Sequence, residues 1–157
     1  MESQEPNDRP NTVIRPPRLY LAALLAGLGL DYLWPAPMFA APGRYIAGGL
    51  LAAGGLWLGV AAIRQFGRAG TNVPTVLPAT ALVTDGLYRF SRNPIYIGLT
   101  SLYLGLSLLA DSVWMLGLVV PVLVVMHYGV IRREERYLED KFGDAYRGFM
   151  ASTRRWL

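Results

Sequence analysis

Apolar and polar positions fall in long blocks along this chain. Residues 19–30 carry no charge, and neither do residues 45–63, 95–110 and 113–130. A bilayer core of about 30 Å needs a helix of roughly 20 residues. The second and fourth runs meet that length unaided. The first meets it if it continues through Asp31 to about Phe39. The third is short, but Pro94 and the turn at Asp111 put its ends where the interfaces would lie. The pattern predicts an all-α, integral-membrane bundle of four transmembrane helices. The third and fourth runs, joined only by residues 110–112, must form an antiparallel hairpin, and Pro121 is placed to kink its second helix. After the fourth run Leu138, Phe142, Tyr146, Phe149 and Trp156 stand among charges, which predicts a helix lying on the membrane surface. The whole chain, 1–157, reads as one domain. Its first 12 residues, polar and proline-containing, read as disordered.

Charge orients these runs. The segment before the first holds Arg9, Arg15 and Arg18. The connection between the second and third holds Arg64, Arg68, Arg89 and Arg92. The tail holds Arg132, Arg133, Arg136, Lys141, Arg147, Arg154 and Arg155. The other two connections hold Arg44 alone. Lysine and arginine favour the cytoplasmic side. Both termini and the long loop are therefore expected in the cytoplasm, with the chain in a bacterial-type inner membrane. The first run resembles a signal peptide in length, but no convincing cleavage site follows it. Asp31, beside Tyr32 and Trp34, fits an outer aromatic belt better than a buried functional acid. The small residues of the second run, Gly48, Gly49, Ala52, Ala53, Gly54, Gly55 and Gly59, fit close helix packing in lipid.

Composition narrows the chemistry. Hydrophobic residues make up 53% and mean hydropathy is +0.30. The net charge of +4 points to anionic headgroups, and no aromatic–basic motif points to nucleic acid. No cysteine is present and there is one histidine. Disulfides, thiol catalysis and Cys- or His-rich metal sites are thereby excluded, and no metal is expected.

Two polar stretches break the apolar pattern with specific chemistry. The first is Leu82-Val83-Thr84-Asp85-Gly86-Leu87-Tyr88-Arg89-Phe90-Ser91-Arg92-Asn93-Pro94-Ile95-Tyr96. Its end predicts a helix start. Asn93 offers an acceptor side chain for free backbone N–H groups, and Pro94 suits the first helical position. The positive end of that helix, with Arg92 beside it, could hold a small anion or zwitterion. The second stretch is Arg132-Arg133-Glu134-Glu135-Arg136. On its own it reads as a solvated charge run paired at i,i+4. If the fourth helix continues, His127, Ile131, Glu134 and Leu138 share one face. His127 is then the one side chain titrating near neutrality.

Taken together, Leu-Val-Thr-x-Gly-x-Tyr-x-x-x-Arg-Asn-Pro-x-Tyr at 82–96 and Glu-Glu-x-x-Leu-x-x-x-Phe-Gly-x-x-Tyr at 134–146 flank the hairpin. This arrangement resembles the isoprenylcysteine carboxyl methyltransferase family and related membrane phospholipid methyltransferases. The resemblance covers residues 70–146 and implies that this segment forms a donor-binding core. It implies S-adenosylmethionine as methyl donor and a lipidic or amphipathic methyl acceptor. Asn93 stands where the eukaryotic prenylcysteine enzymes have histidine, which argues against that particular substrate. Carried onto this chain, the resemblance implies cofactor binding by Leu82, Val83, Tyr88, Arg92, Asn93, Pro94, Tyr96, Glu134 and Glu135. Arg92 and the helix start suit the donor carboxylate. Glu134 or Glu135 suits its ammonium or ribose, Tyr88 and Tyr96 its sulfonium, and Leu82 and Val83 its adenine. An arginine before the paired glutamates is implied to meet the substrate; Arg132 and Arg133 both stand there, and Arg133 adjoins the pair. Arg133 and His127 are the candidate catalytic residues. O-methylation of a carboxylate is the expected reaction, and it needs no base. N-methylation of a phospholipid headgroup needs one, and His127 is its candidate. A non-catalytic lipid- or partner-binding protein is the remaining reading. A transporter is disfavoured, because no charge lies deep in the runs and no paired broken helices occur.

Overall fold

The computed structural model describes residues 8, 10–38, 42–73, 75 and 77–157. The expected extension of the first span to Phe39 falls outside these residues, as do Pro74 and residues 1–7 and 9 of the segment expected to be disordered. Among the described residues there are helices and no strand, with one isolated bridge between Pro37 and Ser112.

Local chemistry sets the helix ends. α1, Pro16–Leu33, starts on a proline whose fixed φ suits the first turn. α2, Gly43–Arg68, runs 26 residues, about 39 Å at 1.5 Å per residue. α3, Pro94–Ala110, starts on the expected proline and stops where Asp111 turns left-handed at φ 56°. Ser112 then caps α4, Val113–Val125: its Oγ accepts from Met115 N at 3.0 Å. A π-helical stretch, Met126–Ile131, leads into α5, Arg132–Phe142. Gly143, at φ 53°, breaks the rod, and α6, Asp144–Ser152, follows.

Two helical rods are long and apolar enough to cross a bilayer by length and composition, Gly43–Arg68 and Val113–Phe142. The last eleven residues of the second, α5, are polar and lie beyond its apolar part. α3 is apolar but has 17 residues, and α1 has 18 and carries Asp31. Large apolar side chains stand exposed along the helices, among them Leu25 on α1, Leu50 and Trp57 on α2 and Val120 on α4. Such a surface is unfavourable in water and favourable against lipid.

Glycine holds α2 and α3 together. A Cβ placed on Gly55 would lie 2.6 Å from the Gly98 carbonyl oxygen. One on Gly98 would lie 2.7 Å from the Gly55 oxygen, and one on Gly105 2.6 Å from that of Gly48. The backbones thus touch at two levels, seven residues apart on each helix. Gly49, Gly54 and Gly59, counted in the same small-residue face from the sequence, would meet nothing. On the other side α1 packs against α4. Tyr20 and Tyr103 meet edge to face at 5.9 Å, and Tyr103 donates to the Met115 carbonyl at 2.9 Å. At the end far from the long loop, Arg44 pairs with Asp111, whose carboxylate also accepts from Met38 N at 3.0 Å.

The tail differs from expectation. A single amphipathic helix lying on the membrane is replaced by α5 and α6, hinged at Gly143. Leu138, Phe142, Tyr146 and Phe149 face the protein, packing with Ala62, Phe66, Val83 and Tyr88 in a second core. The apolar face is used to close the polar end of the bundle. Residues 8 and 10–12, within the segment expected to be disordered, are held against α5. Lys141 and Tyr137 bond the Asp8 carboxylate, and Arg133 donates to the Asn11 carbonyl at 2.6 Å.

Candidate functional site

The loop at 69–93, the start of α3 and the inner side of α5 and α6 enclose a cavity of about 50 Å³. Its walls include Leu82, Val83, Tyr88, Arg92, Asn93, Tyr96, Glu134 and Glu135. Eight of the nine residues expected at a cofactor site from the sequence therefore share one cavity. Pro94 is buried beside it, setting the first turn of α3 without lining the space. The loop is fixed from several sides. Thr71 Oγ1 accepts from Thr80 N at 2.8 Å, Gln65 accepts from Leu87 N at 3.1 Å, and Phe66 meets Tyr88 edge to face at 5.2 Å.

Glu134 is 7% exposed and not part of a solvated charge run. The Tyr96 hydroxyl lies 2.7 Å from both of its carboxylate oxygens and 3.1 Å from Thr75 Oγ1. Burial pushes the Glu134 carboxyl up from its ordinary 4.5 to about 7; the Tyr96 and Thr75 hydroxyls pull it back, and Glu135 adds to the rise. Burial also raises the Tyr88 hydroxyl, with Glu134 adding to it. For Tyr146 the second contribution comes from Glu135.

Glu135 sits between two arginines. Arg155 binds it in a two-point fork, Nε at 2.9 Å and Nη2 at 2.7 Å, and Arg92 Nη1 lies 3.2 Å away. Neither is an i,i+4 partner on its own helix; the pairing is tertiary. Arg92 Nε is buried with no hydrogen-bond partner. A buried guanidinium N–H left unpaired is costly, and an acceptor at that point would relieve it.

Residues 153–157 fold back as a strap over the start of α3. Arg92 N donates to the Arg154 carbonyl at 2.9 Å. The Arg155 carbonyl accepts from Asn93 Nδ2 at 2.9 Å and Ser91 Oγ at 3.2 Å. Asn93 therefore occupies the N-cap position as expected, but its side chain does not bond the helix N–H groups. It donates to the strap, and the Tyr96 and Ile97 N–H groups both turn to the Asn93 carbonyl. Sequence reasoning missed this strap, because Arg154 and Arg155 look like ordinary tail charges. It also missed Phe66, Tyr146 and Phe149, whose spacing signals only a packed face.

Arg133 and His127 lie outside the cavity. Arg133 is exposed and turned to Asn11. His127 packs edge-on against Tyr128 at 4.7 Å in a separate, largely apolar groove of about 670 Å³, lined also by Ile97, Thr100, Val120, Val124 and Trp156. Of the face expected for His127, Ile131, Glu134 and Leu138, Glu134 and Leu138 line the cavity together, while His127 lies apart in the groove. The π-helical stretch falls between His127 and Glu134, and its wider turn shifts the register.

A helical chain with a buried acid, an arginine Nε left without a partner and aromatic walls at one end of an apolar bundle has the features of a site for a small zwitterionic ligand. Residues 43–145 match the family described as phospholipid methyltransferase, and the chain belongs to that family of methyltransferases. It is also similar to a protein of Haemophilus influenzae described only as uncharacterized, 42% identical over 64 residues, which is 40% of this chain and all of the relative. No solved structure matches the chain.

Proposed function

We propose that the chain is a membrane-embedded, S-adenosylmethionine-dependent methyltransferase acting on a lipidic acceptor. Four helices cross the bilayer, and the long loop and both termini lie on the cytoplasmic side of a bacterial-type inner membrane. The observation that carries the reading is the pairing of opposite needs in one cavity. Glu134 is buried with its carboxyl pushed up to about 7, and a nearby cation would stabilise its charged form. The unpaired Arg92 Nε, beside the start of α3, would be stabilised by an anion. The amino-acid end of the donor carries both charges. Arg92 would hold its carboxylate, Glu134 its ammonium, and Tyr88, Phe66 and Phe149 would wall the adenosine. When bound, the cofactor supplies an electrophilic methyl group. The chain's part is to orient, to exclude water and to hold charge.

The cavity of about 50 Å³ has room for little more than a water or two, and a ligand of this size needs ~300 Å³ or more. Binding therefore requires the walls to part, and the strap at 153–157, tied to the wall residue Glu135 by Arg155, is the segment we assign to that movement. The acceptor chain lies in the apolar groove between α3 and α4, whose walls suit an acyl or isoprenoid tail. A carboxylate acceptor needs no base. The family match favours a second reading, methylation of a headgroup amine, with His127 in the groove as proton acceptor.

The test is calorimetry of the full chain in lipid nanodiscs with S-adenosylmethionine, followed by product analysis. We expect binding, weakened about 10- to 100-fold in Arg92→Gln through loss of a charged hydrogen bond. Absence of binding to wild-type protein overturns the proposal. Base treatment separates the acceptors: a methyl ester releases methanol, a methylated amine does not.

A further inference from the structure

We propose that Arg132, Arg133 and Arg136 form a binding site for the phosphate headgroup of an anionic phospholipid, separate from the cavity holding Glu134. The three arginines line a polar surface groove of about 650 Å³, together with Pro10, Asn11, Tyr128 and Tyr137. Among the described residues none of the three guanidiniums pairs with a carboxylate. The chain's other carboxylates near α5 are engaged elsewhere: Glu135 by Arg92 and Arg155, Glu139 by Arg147, Asp8 by Lys141. Among the described residues Asp140 is the one carboxylate lining the groove, so three positive charges there face one negative.

The site is built. Arg133 is anchored to the Asn11 carbonyl at 2.6 Å, which makes the N-terminal segment one wall. Arg132 lies over the Tyr128 ring at 5.7 Å, which orients its guanidinium. Its place in the fold selects the occupant. Arg132 follows directly on the apolar rod, whose Val124, Val125 and Tyr128 are exposed just before it. An anionic lipid can set its phosphate on the arginines while its chains stay in the bilayer against these side chains. A soluble anion gains nothing from that apolar approach. Tyr128 also lines the apolar groove and stands between it and the arginines. Glu134 and Glu135 leave the same helix on its inner side and line the cavity. A lipid on the arginines is thus held away from that site. It braces α5, which carries both glutamates.

Native mass spectrometry of the full chain, with phosphatidylglycerol and phosphatidylcholine of matched chains, tests this. Phosphatidylglycerol should bind at least tenfold more tightly. Arg132→Gln with Arg136→Gln, which leaves the Arg133 bond to Asn11 intact, should lose about 30-fold, at ~1 kcal/mol for each arginine near a membrane surface. Either substitution alone should cost about fivefold, so the result does not depend on the double variant folding. Arg64→Gln with Arg68→Gln removes equal charge at the end of α2 and should change affinity less than threefold. Millimolar inorganic phosphate should not displace the lipid. Equal binding of the two lipids, an equal loss in the Arg64/Arg68 control, or displacement by phosphate overturns the proposal.

Discussion

Glu134→Gln isolates the electrostatics of the cavity. The buried carboxyl sits at about 7 instead of 4.5. Below pH 4.5 the side chain is protonated in both folded and unfolded chains and contributes no pH dependence. Between 4.5 and 7 the unfolded chain releases the proton while the folded chain keeps it. The folded state binds more protons, so stability falls as pH rises. Above 7 the loss is complete, about 3 kcal/mol for this displacement. The empty protein should therefore melt at a lower temperature at pH 8 than at pH 5.5. Glutamine keeps an acceptor for Tyr96 but cannot ionise. The variant should flatten that interval and melt higher than wild type at pH 8. It should also bind S-adenosylmethionine about 10- to 100-fold more weakly at pH 8, having lost a charged partner. In wild type the donor should stabilise more at pH 8 than at pH 5.5, because a cation beside Glu134 restores its ordinary ionisation. The assay is thermal unfolding in nanodiscs across pH 5 to 8.5, with and without donor. A wild-type profile as flat as that of the variant, or unchanged donor affinity in the variant, refutes the reasoning.

Other perturbations address the scaffold and the strap. Gly98→Val or Gly105→Val drives a side chain into the α2 backbone and should cost 1–3 kcal/mol or more, read as a lower melting temperature; Gly54→Val, facing open space, should not. Arg155→Ala unties the strap from Glu135 and should speed donor association several-fold in stopped-flow fluorescence, an unchanged rate counting against the strap as a lid. Ser112→Ala removes the cap on α4 and should cost about 1 kcal/mol with no effect on donor affinity.

The sequence by itself determined the apolar helices and most of the residues that line the polar-end cavity. Uncharged runs, Pro94 before Ile95 and Asp111-Ser112 between two apolar stretches act through local backbone preference and solvation, which a single chain displays; the break at Gly143 is not read from them. The two motifs could be recognised for the same reason, since each is a short run of fixed spacing. Tertiary structure alone decided which charges pair and which face the cavity. Glu135 meets Arg92 and Arg155 instead of its helical neighbours, Asn93 serves the strap instead of its own helix, and Gly98 and Gly105 find Gly55 and Gly48. The π-helical stretch turns His127 away from Glu134, and Arg133 goes to Asn11. Each of these depends on distances between residues far apart along the chain, and on burial that raises or cancels a charge. Neither quantity is carried by any local stretch of sequence.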